Sequence, residues 1–126
     1  DMEEAYAGMK RAIDFGGDYI TPDLRFHQGL IRSSHNRMLV QMSRALGALL
    51  RTSFEISTTR KDGPSSSLPP HRAVLDAVIP RQPARAEQAI LVLIDGARKD
   101  IDLVLATRKR LPRISRPATQ LKAVSL

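Results

Sequence analysis

Residues 83–107 carry Ala86, Ala89, Ile90, Leu93, Ile94, Ala97, Ile101 and Val104 at steps of three and four. That spacing follows the turn of an α-helix and gathers the apolar side chains on one face. A face about seven turns long has to be covered by other helices, because no stretch of the chain shows the alternation of a half-buried strand. The same period recurs upstream. Residues 2–14 place Met2, Ala5, Met9, Ala12 and Ile13 on one stripe, and Gly16 and Gly17 end the helix.

A second helix carries Phe26, Leu30 and Ile31. It starts either with Thr21 as N-cap and Pro22 in the first position, or near Asp18 with Pro22 in its first turns. Ser33, Ser34, His35 and Asn36 form a break, with His35 an exposed turn residue. One long helix is expected over 36–56, burying Leu39, Met42, Leu46, Leu49, Leu50 and Phe54. Arg44 and Arg51 fall on another stripe of it, in solvent. Residues 61–67 read as a loop by composition. A helix from Ser67 to about Ile79 follows, with Val74, Leu75 and Val78 inward. Five helices with short connections predict an all-α, antiparallel bundle.

Totals narrow the class. A chain of 126 residues suits one domain. It has no cysteine, which removes disulfides and thiolate metal sites and fits a reducing, cytoplasmic setting. No apolar run approaches the roughly 20 residues of a membrane span, and no secretory signal opens the chain. It begins at Asp1 rather than Met, so an upstream part is expected. Net charge is +7, and residues 108–126 hold six basic residues and no acidic ones, leaving 14 basic and 13 acidic in residues 1–107. A neutral body with a basic tail fits a solvated, poorly ordered end better than a nucleic-acid surface. Gly-rich phosphate loops, a Ser-His-Asp order and paired cysteines are lacking. Aromatic content of 4% with no tryptophan leaves little for base stacking.

The chemistry concentrates at Asp23 and His27. Four residues apart on a helix, they share a face. Inside a bundle they would be half of a metal or anion site; on the surface they would be an ordinary polar pair. His71 falls in the first turn of its expected helix, where the helix dipole favours a neutral ring, the form that ligates metals. A guanidinium at Arg51 that faced a pocket would clasp a carboxylate bidentately.

Four landmarks stand in a fixed order: Asp23-x-x-Phe26-His27 with Leu30; Ser34-His35-Asn36 with Met38-Leu39; His71 through Val78 (HRAVLDAV); and Ala86-x-x-Ala89 running to Ala97-Arg98-x-Asp100-Ile101. Together they resemble the C-terminal effector-binding (FCD) domain of the FadR branch of GntR-type bacterial transcription regulators, over about residues 2–107. The segment Leu49-Leu50-Arg51-Thr52-Ser53-Phe54-Glu55-Ile56-Ser57 is similar to regulators of sugar-acid operons, of the galactonate-repressor type.

The resemblance implies a helical bundle around a central polar cavity, a homodimer, and an N-terminal winged helix-turn-helix that reads operator DNA, outside these residues. It divides the chain into an effector-binding and dimerisation domain, 1–107, and a tail, 108–126. Many members hold a divalent metal with one Asp and three His. Carried over, the ligands are Asp23, His27 and His71; the position of the third His holds Leu93. Three such ligands still suit Zn²⁺, Ni²⁺ or Mn²⁺ with water or a ligand carboxylate completing the shell. Effector contacts are implied at Arg51, Leu93 and Asn36, for a small carboxylate such as a sugar acid. The competing readings are a metal-dependent hydrolase or lyase of small acids, for which no further general base stands at a matching spacing, and a nucleic-acid-binding protein acting through its basic tail.

Overall fold

The computed structural model describes residues 1–110. These form six helices and, among the described residues, no strand: α1 (Met2–Phe15), α2 (Ile20–Ser33), α3 (Arg37–Ala45), α4 (Gly47–Ser57), α5 (Gly63–Val78) and α6 (Pro83–Arg110). None is long and apolar enough to cross a membrane. The all-α bundle expected from periodicity is what the chain forms.

Asp1 caps α1 by accepting from the Glu3 amide at 3.1 Å. The helix ends at Gly16 and Gly17, at φ 79° and 117°, a region that glycine occupies without cost. Asp18 then starts α2: its Oδ1 accepts from the amides of Ile20 at 2.9 Å and Thr21 at 3.1 Å. Of the two starts the sequence allowed, the one near Asp18 is realised, and Pro22 lies in the first turn.

Three expectations are corrected. The helix over 36–56 is two helices, broken at Leu46, which sits at φ −92°, ψ 5°. Gly47 follows, a residue that weakens a helix interior by about 1 kcal/mol relative to alanine, so the bend falls where continuity is weakest. The face expected to be buried is largely open: Leu39, Met42, Leu46 and Leu49 are all exposed, Leu49 at 66%, while Leu50 and Phe54 are half-buried. The third correction concerns residues 61–67. α5 already starts at Gly63, with Pro64 in its first turn. A Cβ on Gly63 would lie 2.9 Å from the Thr58 backbone, so this short connection closes only around glycine.

The core is built by α1, α2, α5 and α6. Met2, Ala5, Met9, Tyr19, Phe26, Val74, Leu75 and Leu93 form one buried cluster. α5 packs on both α1 and α6, and α2 packs on α1, α3 and α4. The basic stretch from 108 begins inside α6, which runs to Arg110; the remainder of the expected tail lies outside the described residues.

Candidate metal centre

Asp23 and His27 stand one turn apart on α2, and both face α5. His71 comes to meet them from α5, placed by a helix that starts about one turn earlier than the sequence suggests. It therefore lies in the third turn of α5, and the dipole argument for its neutrality does not apply. A hydrogen bond instead fixes which ring nitrogen faces the cluster. Pro69 and Pro70 interrupt the α5 ladder just ahead of it, since neither can donate to the preceding turn. The ring Nδ1 of His71 lies 2.8 Å from the Ser67 carbonyl and 3.3 Å from the Ser67 hydroxyl. A carbonyl only accepts, so Nδ1 carries a proton, and a neutral ring then presents the bare lone pair of Nε2.

That lone pair points at the other two residues. His71 Nε2 is 3.0 Å from Asp23 Oδ1 and 3.2 Å from His27 Nε2, and His27 Nε2 is 3.3 Å from the same Asp23 oxygen. Three electron-rich atoms so close repel one another unless a proton or a cation sits among them. Asp23 is 3% exposed and His71 1%, so water does little to screen the cluster. Burial alone would raise the Asp23 pKa; where His27 and His71 carry protons on Nε2, their hydrogen bonds and charge outweigh it and hold its carboxyl below the usual range.

The donor set fits a divalent cation. Bonds of about 2.0–2.1 Å at tetrahedral angles separate neighbouring ligand atoms by roughly 3.3 Å, close to the 3.0–3.3 Å spacings of the triangle. One carboxylate with two imidazoles is also the chemistry that Zn²⁺, Ni²⁺ and Mn²⁺ accept. His71 already has the outer hydrogen bond that orients a ligating imidazole. Apolar rings frame the cluster: Phe26 meets His71 edge-on at 5.0 Å between centroids, and Phe54 of α4 lies 4.8 Å from His27. His27 is the least enclosed of the three, its side chain 19% exposed, and it forms the open side.

The residues expected to touch an effector are dispersed. Leu93 is buried in the core, and it lines a small cavity of about 50 Å³ together with Ser57, Ser67 and Gly96. That space holds a water molecule or two and is too small for a sugar acid. Arg51 is exposed on α4; its guanidinium reaches Thr21 Oγ1 at 3.3 Å and Glu55 at 3.6 Å, so it lies over the start of α2. Asn36 is exposed, and its Oδ1 is engaged as the N-cap of α3, accepting from Met38 at 3.0 Å and Leu39 at 3.2 Å. His35 sits in the turn ahead of it at φ 55°, exposed as expected.

Two neighbours of the centre escape a reading of the sequence alone. Ser67 looks like loop by composition, yet it holds His71. Tyr19 is buried at 6% exposure, and its hydroxyl has no hydrogen-bond partner among the described residues. Burial pushes its phenol above the usual tyrosine range; nearby Ser67 opposes the rise and the Asp23 charge adds to it. The signal for Tyr19 was its position four residues before Asp23.

Comparison with known proteins agrees with the landmarks. The FCD domain family matches residues 1–96. The galactonate operon transcriptional repressor of Escherichia coli strain K12 is 34% identical over 73 residues, covering 57% of this chain and 32% of the repressor. The aligned part is thus about a third of that relative's length. No solved structure matches the chain. With its helical bundle, its ordered landmarks and a family match over most of its length, the chain belongs to the FCD domain family of GntR-type transcription regulators.

Proposed function

We propose that this domain is the ligand sensor of a cytoplasmic transcription regulator, and that it binds a small carboxylate, a sugar acid such as galactonate, at a divalent cation held by Asp23, His27 and His71. The observation that carries the reading is the triangle of ligand atoms, all within 4.8 Å of one another, with one imidazole turned by a backbone carbonyl so that its lone pair faces inward. The bound cation would supply positive charge and open coordination positions to a carboxylate. Leu93, standing at the position of the family's third histidine, leaves one more such position than a four-ligand site. Arg51 and Asn36 belong to the effector's approach in this reading, and reaching it requires both to leave their present hydrogen bonds.

Sensing is then a matter of differential affinity. An acid that binds one arrangement of a homodimer better than another shifts the population, and with it the spacing of the N-terminal DNA readers on the operator. The exposed apolar residues of α3 and α4 support a dimer, since a contiguous stripe of this kind is usually covered. A thermal-shift screen tests the reading. Zn²⁺, Ni²⁺ or Mn²⁺ should raise the melting temperature, and galactonate should raise it further only with the cation present. A flat response to every cation and every sugar acid would remove the proposal.

A further inference from the structure

Tyr19, Asp23 and His27 are spaced by four along the start of α2, so their side chains stack in one column, and the Asp23 amide donates to the Tyr19 carbonyl at 3.2 Å. The next residue in line with the two ligands is therefore a tyrosine, at a buried position that phenylalanine would fill as well. Its hydroxyl is the one fully enclosed side-chain polar atom left without a partner among the described residues. A donor in that state costs stability unless something satisfies it. Its column neighbour has an acceptor to spare. Asp23 makes its contacts with both histidines through Oδ1, and Oδ2 accepts no hydrogen bond among the described residues. A donor without a well-placed partner and a spare acceptor thus sit one helical turn apart, with the Ser67 side chain also near the hydroxyl.

We propose that Tyr19 is a positioning residue of the metal centre, its hydroxyl donating to Asp23 Oδ2, directly or through one water molecule, when a cation engages Oδ1. A carboxylate that ligates through one oxygen can still rotate about its Cβ–Cγ bond. A donor on the second oxygen fixes that rotation, and outer contacts of this kind support ligand geometry and cation affinity. The phenol remains protonated at neutral pH, so it is available as a donor. This inference rests on the proposed cation site and adds a residue that touches neither the cation nor the effector.

The test compares the whole chain with its Tyr19→Phe variant, which removes one oxygen and keeps the ring. Zn²⁺, Ni²⁺ and Mn²⁺ alone serve as probes, titrated calorimetrically, with melting temperatures measured in parallel. The cation-free variant should melt at or above the wild-type temperature, because it loses only an unsatisfied group. Its affinity for the best-bound cation should fall by about tenfold. Equal affinities in the two proteins would overturn the role of Tyr19 while leaving the centre standing. A wild-type chain that takes up no cation would overturn the centre and this inference together. A lower melting temperature without cation, with unchanged affinity, would make Tyr19 a packing residue and overturn the proposal as well.

Discussion

The two sides of the molecule differ in how they treat apolar residues. Where α1, α2, α5 and α6 meet, Met9, Phe26 and Val74 are fully buried, and Asp23 and His71 are enclosed with them. On α3 no residue is buried, and on α4 only Ser57 is. Yet α3 and α4 carry Met38, Leu39, Met42, Leu46 and Leu49, residues as apolar as those inside. The first side gathers part of its apolar surface into a core around Asp23 and His71, although Leu91, Val92 and Ile94 on the outer face of α6 stay exposed. The second leaves much of its apolar surface open; Phe54 approaches His27, and Arg51 reaches Thr21 at the start of α2. The difference separates a half packed around the Asp23, His27 and His71 cluster from a half that buries almost nothing of its own.

The contrast is sharpest in its response to truncation. Phe26→Ala should lower stability by about 3–5 kcal/mol in denaturant unfolding, because it empties a site with no exposure and removes the ring against His71. A loss below about 1 kcal/mol would mean that this half is not packed as described. Gly63→Ala comes next. Its Cβ would meet the Thr58 backbone at 2.9 Å, and overpacking of that kind costs roughly 1–3 kcal/mol. A neutral outcome would show that the α4–α5 connection is looser than its geometry.

Acid should act on the first half. The Asp23 carboxyl is held below its ordinary value of 3.8 in the fold. Its contribution is therefore complete above that value and is lost as pH falls through the lower folded value. Asp23→Asn should flatten the part of the stability–pH curve below about pH 4, a region that melting curves from pH 2 to 7 read directly. A curve identical to wild type would show that the carboxylate is not coupled to the histidines. The smallest expected effect lies on the other side. Leu49→Gln should change the stability of the monomer by no more than about 0.5 kcal/mol, while light scattering should show a weakening of the proposed dimer. A large loss of monomer stability would place Leu49 inside a core, against its 66% exposure.

Much of the packed half was legible in the sequence. The three- and four-residue steps of Met2, Ala5 and Met9, and of Val74 and Leu75 to Val78, marked helices and their inner faces. Asp23 and His27 were linked by helical spacing. His71 lies 44 residues beyond His27, and no local rule joins them; the family landmarks did. The break at Leu46 was hidden because apolar residues keep helical spacing across it, and periodicity does not say whether a face is covered. Residues 63–67 were hidden for the opposite reason. Glycine, proline and three serines signal a loop, although proline suits a first helical turn and the contacts of α5 with α1 and α6 override weak propensity. Tyr19 went unread because a buried tyrosine gives no sign in sequence that its hydroxyl lacks a partner.

The central claim is that Asp23, His27 and His71 close on one cation. X-ray absorption at the metal edge of the Zn²⁺-loaded chain tests it most directly. The account predicts a shell of nitrogen and oxygen at about 2.0–2.1 Å with the outer scattering of two imidazole rings, diminished in a His71→Gln variant. A spectrum without imidazole scattering, or one that His71→Gln leaves unchanged, would contradict it.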